Sequence, residues 1–115
     1  MSRNDLVYVR HMLDAMKNIR RYTKGISSAA FMKDTMLQDA VIRNLEVIGE
    51  AAKRVPAPVK QRHAQTEGRK ISGMRDILIH EYLGVDLIKV WNVVENRLPL
   101  LQRQLSRILR VEKAE

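Results

Sequence analysis

One short stretch of the chain brings together three side chains whose chemistry suits RNA cleavage. Arg75, His80 and Tyr82 stand in the order R-x4-H-x-Y within an apolar segment. Arginine can bind a phosphate with a planar fork of donors that stays charged at any working pH. Histidine can accept and donate protons near neutrality. An arginine and a histidine are together a minimal set for cutting RNA without a metal, and the tyrosine makes the pattern more specific than the pair alone.

The reaction that these residues suggest is transesterification at an RNA phosphodiester. His80 would take the proton of the ribose 2′-OH as general base, while a second subunit's histidine or a water protonates the leaving 5′-oxygen. Arg75 would stabilise the negative charge of the transition state, and Asp76 would hold the His80 ring and favour its cationic form. The products would be a 2′,3′-cyclic phosphate and a 5′-hydroxyl. No carboxylate or histidine cluster has metal-ligand spacing and cysteine is absent, so we expect no metal site and no cofactor.

The geometry of a regular helix leaves three arrangements of this motif open. Five residues advance an α-helix by about 500°, which puts Arg75 and His80 about 140° apart. Asp76 and His80, four residues apart, share a face. Either the arginine side chain reaches round the helix, or the helix is distorted, or a second subunit completes the site. A twofold axis would place two copies of each residue in one cleft.

The same residues also fit purely structural roles. Arg75 and His80 could belong to a surface ion network with Asp76 and Glu81, since charged residues on helices are usually solvated. Tyr82 could be a partly buried side chain that packs against a neighbouring helix.

The two other histidines are weaker candidates for chemistry. His11 lies near Asp14 on the first predicted helix, and we expect it to be solvated. His63 lies in a basic connector, where a histidine could contact a polyanion but usually has no function.

The elements that must position the motif are helices. Glycine and proline are scarce (5 and 3), and apolar residues recur at helical spacing, so the sequence predicts an all-α protein with one domain over residues 1–115. Helices are predicted over about residues 5–23, 34–55 and 74–81, with Asp34 as an N-cap. The apolar stripes of the first two are Leu6, Val9, Leu13, Met16 and Ile19, and then Leu37, Val41, Leu45, Ile48 and Ala52.

The last predicted helix begins at Asp86, a second N-cap, and carries a heptad-like apolar seam. Pro99 lies inside that seam. An interior proline removes a backbone hydrogen bond and kinks a helix, so we expect a bend or a break near Arg97. Between the second and third helices, Pro56 opens a connector with one short helical turn, and residues 61–73 are expected to form a loop. The seam consists of Leu87, Trp91, Val94, Leu98, Leu101, Leu105 and Ile108.

The charge of the chain favours a polyanionic partner. The formal net charge is +8, from 21 Lys and Arg against 13 Asp and Glu, although a soluble basic surface gives the same balance. Only 4% of residues are aromatic, which argues against a protein that binds single strands by base stacking. No apolar run has the length of a membrane span, and the first residues lack the apolar core of a signal peptide. The sequence therefore predicts a cytoplasmic location and no membrane association.

With these residues in place, the sequence resembles the HepT-like toxins of the HEPN superfamily, which are partners of MNT-type minimal nucleotidyltransferases. The resemblance rests on residues 38–52, 71–82, 85–87 and 90–101, in that order. It implies an up-and-down four- to five-helix bundle that forms a homodimer. It also implies an R-x4-6-H ribonuclease site at the positions of Arg75 and His80. In such systems the antitoxin nucleotidyltransferase adds AMP to the tyrosine of R-x4-H-x-Y, which is Tyr82 here; the added anion would block the substrate phosphate.

Three functions compete on the sequence alone. The first is a toxin ribonuclease that cleaves RNA, with tRNA as a plausible target. The second is a non-catalytic helical adaptor that presents a substrate to a minimal nucleotidyltransferase. The third is a basic RNA-binding bundle without chemistry. The complete triple of Arg75, His80 and Tyr82 favours the ribonuclease, because neither alternative requires all three.

Overall fold

A computed structural model describes residues 6–63 and 86–113, and all the regular secondary structure in these ranges is helical. The prediction of an all-α bundle is confirmed. None of these helices is both long and apolar enough to cross a membrane. In chain order the elements are α1 (Val7–Thr23), α2 (Ser28–Lys33), α3 (Thr35–Arg54), α4 (Ala57–Arg62), α5 (Leu87–Asn92), a π-helical turn (Val93–Arg97) and α6 (Leu98–Lys113).

Two aspartates start helices where the sequence placed them. The Asp34 side chain accepts a hydrogen bond from the backbone N–H of Leu37 at 3.0 Å. The Asp86 side chain accepts from the N–H groups of Ile88 and Lys89 at 3.0 and 3.2 Å. Each carboxylate satisfies N–H groups that have no partner within the first helical turn, and its negative charge lies at the positive end of the helix dipole.

The short helix α2 was not predicted. Gly25, with φ of +74°, ends α1 in a backbone conformation that side chains other than glycine rarely adopt. Ser27 then caps α2 by accepting a hydrogen bond from Ala30 N–H at 3.1 Å. Phe31 is the one fully buried residue of this helix, and its ring lies 4.8 Å from that of Trp91. The α2 helix therefore carries one large apolar side chain into the core.

The core lies between α1, α3 and the last helices, with α1 and α3 making the most extensive interface. The predicted stripe of α1 is buried along its whole length. The stripe of α3 is buried except at Leu37, which is half-buried. Asn18 of α1 donates to the side-chain oxygen of Asn44 on α3 at 3.2 Å. Because each amide needs its partner at one position, this bond fixes the register of the two helices.

Near Arg97, where the sequence predicts a bend or a break, the structure has a π-helical turn between α5 and α6. The backbone N–H of Leu98 bonds to the carbonyl of Val93, five residues earlier. Proline has no N–H, and its ring would clash with the carbonyl four residues earlier, that of Glu95. A wider turn at this place removes the conflict while the helix continues into α6. Across the turn the buried face changes phase, so Val90 and Val93 are buried whereas Leu87 and Val94 of the predicted seam are half-buried.

Candidate active site and its frame

The predicted site residues lie in the interval that separates the two described ranges. Arg75, Asp76, His80 and Tyr82 are all outside the described residues, which stop at His63 and resume at Asp86. Their mutual geometry remains a prediction. What the structure does describe is how the chain is held on both sides of this interval.

On the first side, a buried carboxylate holds the end of α4. Glu112, near the end of α6, is 1% exposed at its side chain. Its Oε1 accepts a hydrogen bond from Arg62 Nε at 2.9 Å and lies 3.0 Å from His63 Nε2. Arg62 is the last residue of α4 and His63 is its C-cap. We call these three residues the Glu112 cluster; it ties the chain to α6 immediately before the interval that carries the motif.

The electrostatics of the Glu112 cluster favour the ionised carboxylate. The hydrogen bond from Arg62 lowers the pKa of Glu112, burial opposes it, and His63 lowers it further. The second carboxylate oxygen, Oε2, is buried and has no hydrogen-bond partner in the described part of the chain. Both bonds therefore fall on Oε1, and the stabilisation of the buried charge depends on Arg62 and His63.

A Glu112→Gln variant should lower the free energy of unfolding by about 1–3 kcal/mol at neutral pH, because it replaces charge-assisted hydrogen bonds in a buried site. The pKa of Glu112 is lower in the folded chain than its ordinary value of 4.5. Its contribution is therefore complete above the unfolded pKa and is lost as the pH falls through the folded pKa. Urea titrations at a series of pH values should show the gap between wild type and variant closing in acid.

A matched control is Glu95→Gln, which removes an exposed carboxylate from the π-helical turn. Glu95 forms no ion pair with another described residue, so its replacement should change stability by less than about 0.5 kcal/mol. A gap between wild type and Glu112→Gln that stays constant down to strongly acid pH would contradict the role assigned to the Glu112 charge.

The described histidines differ from their sequence-based interpretation in one case. His11 is exposed on α1, as expected, and its ring meets that of Tyr8 edge to face at 5.8 Å. His63 is part-buried, and it bonds to Glu112 rather than lying in an open loop. Sequence reasoning missed this contact because the two residues are 49 positions apart and share no motif. No metal-binding group of three or more His, Asp or Glu side chains occurs within residues 6–63 and 86–113.

On the other side of the interval, Asp86 fixes the start of α5 through its two capping hydrogen bonds. Trp91, one helical turn further on, is buried against Phe31, as the sequence predicted for a core anchor. The chain thus enters the interval from an ion-paired helix end and leaves it into a capped helix whose second turn is in the core. The Glu112 cluster and the Asp86 cap thus hold the two ends of the chain between which residues 64–85 lie.

Comparison with known proteins identifies the chain at the level of its family. The family model described as "Ribonuclease HepT-like" matches residues 12–108, a range that contains all four predicted site residues. The chain belongs to the HepT-like ribonuclease family. The family match confirms the resemblance drawn from the sequence, and it supports an endoribonuclease at the family level.

Individual relatives agree with this HepT-like assignment. The protein named "Putative RNase TTE0752" of Caldanaerobacter subterraneus subsp. tengcongensis is 40% identical over 106 residues, covering 92% of this chain and 95% of the relative. "Probable ribonuclease HepT" of Thermococcus cleftensis is 36% identical over 108 residues, or 94% and 98% of the two chains. No solved structure gave a significant match.

A further relative shows the HepT-like unit inside a longer chain. The protein named "Gamma-glutamylcyclotransferase and putative RNase MJ0434" of Methanocaldococcus jannaschii is 37% identical over 109 residues. The match covers 95% of this chain but 49% of the relative. In that relative, the similar region therefore makes up about half of the protein.

Proposed function

We propose that this HepT-like chain is a metal-independent endoribonuclease that cleaves RNA, with tRNA as a plausible target, at a site formed by Arg75 and His80. The observation that carries the proposal is that the triple of Arg75, His80 and Tyr82 lies within the residues matched by the family model. The basic net charge of +8 supports an RNA substrate, because phosphate neutralisation attracts polyanions to a basic protein.

In the proposed reaction, His80 removes the proton of a ribose 2′-OH, and the 2′-oxygen attacks the adjacent phosphorus. A bond forms between that oxygen and phosphorus, and the bond to the 5′-oxygen of the next nucleotide breaks. The leaving oxygen takes a proton from the second subunit's histidine or from water. Arg75 stabilises the charge on the phosphoryl oxygens during the exchange, and Asp76 supports the orientation of His80.

The protein would act as a homodimer in which each subunit is a single HEPN-like domain. It would be the toxin of a cytoplasmic toxin–antitoxin pair. The antitoxin would be a nucleotidyltransferase of the MNT type that transfers AMP to Tyr82. The transfer would join AMP to the phenolic oxygen of Tyr82 through a phosphodiester, which carries a negative charge. Because Tyr82 lies two positions after His80 in the sequence, this charge would repel the substrate phosphate from the proposed active site.

The test of the activity is cleavage of purified total tRNA in EDTA by a preparation whose intact mass shows unmodified protein. We expect fragments that end in a 2′,3′-cyclic phosphate and begin with a 5′-hydroxyl. Cleavage only after a divalent metal is added, or fragments with 5′-phosphates, would contradict the proposed mechanism. Absence of cleavage under every condition would favour the adaptor function.

The modification is tested separately by incubation with a cognate nucleotidyltransferase and ATP. The chain has three tyrosines, so the intact mass should rise by AMP and the gain should be absent in Tyr82→Phe. Tyr22, which is 36% exposed, offers the matched control, and Tyr22→Phe should be modified like wild type. A mass gain that persists in Tyr82→Phe would show that the AMP acceptor is another residue.

A further inference from the structure

Four arginines line one open cleft between α1 and α6. The cleft has a volume of about 550 Å³ and is lined by Arg20, Pro99, Gln102, Arg103, Ser106, Arg107 and Arg110. Arg103, Arg107 and Arg110 follow one another at spacings of four and three, so they share one face of α6 and extend over roughly 10 Å of its length. We call this surface the arginine groove. None of the described lining residues belongs to the Glu112 cluster.

The opposite wall of the arginine groove is fixed by a contact between helices. Arg20 of α1 donates a hydrogen bond from Nη1 to Oε1 of Gln102 on α6 at 2.6 Å. Gln102 is neutral, so this bond orients the guanidinium without neutralising its charge. The guanidinium carries five N–H groups, and in the described part of the chain only the bond to Gln102 uses any of them.

Within residues 6–63 and 86–113, no carboxylate pairs with any of the four arginines of the groove. The sole carboxylate of α6 is Glu112, which is buried and bonded to Arg62 and His63. Arg103 and Arg107 are four residues apart on the helix, where like charges repel each other. A polyanion bound along the groove would relieve this repulsion.

The residue types that line the arginine groove suit a nucleic-acid backbone better than a protein surface. Arginine binds phosphate with paired N–H groups, and Gln102 and Ser106 add neutral donors and acceptors of the kind that contact phosphate and sugar. Protein interfaces instead have apolar and aromatic residues at their centre. Among the described lining residues, Pro99 is the one apolar side chain and none is aromatic.

We propose that the arginine groove binds the phosphate backbone of the RNA substrate. This inference rests on the proposed ribonuclease function and adds the four arginines of the groove to the residues that contact RNA. Binding of this kind is independent of base sequence, so the groove would increase affinity for RNA without selecting the cleavage position.

The test compares two pairs of substitutions in a His80→Ala background, which leaves labelled total tRNA intact during binding measurements. The groove pair is Arg103→Gln with Arg107→Gln. The control pair is Arg43→Gln with Lys33→Gln, which removes the same charge from exposed positions on α3 and α2 that form no ion pair with a described residue. Glutamine retains helix propensity, and circular dichroism checks that both pairs fold.

The groove pair should weaken tRNA binding on the order of tenfold or more at 0.1 M salt. It should also reduce the slope of log K against log salt concentration by about 1.4–1.8, which corresponds to two lost phosphate contacts. The control pair should leave the slope nearly unchanged, and labelled RNAs of different sequence should be affected alike.

Equal losses in the two pairs would overturn the proposal, since overall charge would then explain the binding. The groove proposal would be wrong if the groove pair left the salt slope unchanged and also cleaved tRNA normally when His80 is present. The proposed ribonuclease function would stand in that case. Normal RNA binding with loss of binding to a nucleotidyltransferase would assign the groove to a protein partner. If the His80→Ala protein bound no tRNA and the wild-type protein cleaved none, both the proposed ribonuclease function and the proposed role of the groove would be wrong.

Discussion

The His80→Ala variant is expected to lower the rate of RNA cleavage by about 10²–10⁴-fold, the usual contribution of a general acid–base residue. Alanine cannot accept the 2′-OH proton, while Arg75 remains to bind the phosphate, so substrate binding should change much less than turnover. Single-turnover cleavage of tRNA, beside a binding isotherm for the same RNA, separates the two effects.

The other histidines of the chain supply controls for this result. His11→Ala removes an exposed ring from α1 and should cleave RNA at the wild-type rate. His63→Ala removes a bond to Glu112 and should lower the midpoint of unfolding, with cleavage retained in the folded fraction. A His80→Ala protein that cleaves RNA as fast as wild type would refute the assigned role of His80.

In the proposed homodimer, mixed dimers can decide which subunit completes the site. If Arg75 of one subunit acts with His80 of its partner, a dimer of Arg75→Ala and His80→Ala chains keeps one intact pair and should regain cleavage. If both residues act within one chain, the mixed dimer has no intact pair and should stay inactive. The measurement is cleavage by the two inactive variants after mixing and exchange of subunits.

The second large effect concerns stability. Phe31→Ala is expected to lower the free energy of unfolding by about 3–5 kcal/mol, the range observed when a buried aromatic side chain is truncated. Phe31 is 0% exposed, and its ring contacts that of Trp91 with centroids 4.8 Å apart. Phe31 is the one fully buried side chain among the six residues of α2, and the half-buried Met32 is the other side chain of this helix that packs on the core. The loss is a large part of the 5–15 kcal/mol typical of a domain.

Urea unfolding measures this effect, and the protein contains its own reporter. Trp91 is the sole tryptophan of the chain, so its fluorescence follows the environment beside Phe31. Phe31→Leu keeps much of the buried volume and should lose less than half as much stability. Met36→Ala, at a position 84% exposed, should be nearly neutral. If Phe31→Ala lowered the free energy of unfolding by less than about 1 kcal/mol, the neighbouring side chains would have to fill the space of the lost ring without leaving a cavity.

Sequence alone predicted those parts of the fold that depend on nearby residues. The caps at Asp34 and Asp86 were recognisable because a capping side chain and the N–H group it accepts from lie two or three positions apart. The apolar stripes were recognisable because helix periodicity is local. The helix α2 was missed, since six residues are too few to show a period.

Contacts between distant residues could not be predicted in this way. Glu112 and His63 are 49 positions apart, and Arg20 and Gln102 are 82 apart. No local pattern links such residues; the packing of α1 and α4 against α6 brings them together. At the π-helical turn the sequence predicted only a bend or a break near Arg97, because Pro99 shows that a normal helical turn is disfavoured there but not which alternative the backbone adopts. For the cleavage motif, the sequence and the family match remain the basis of the proposal.

The π-helical turn between Val93 and Arg97 also limits which changes in chain length the protein can accept. An α turn could absorb the loss of one residue from this wider turn, but the ring of Pro99 would then clash with the carbonyl four residues earlier. A loss that is not absorbed in this way rotates everything after it by about 100° around the helix axis. Leu101 would leave the core, and the same rotation would move Arg107 away from Arg20. The packing of the core and the shape of the arginine groove thus both depend on the number of residues in this turn. Insertions and deletions in functional relatives should therefore avoid the turn or occur in compensating pairs.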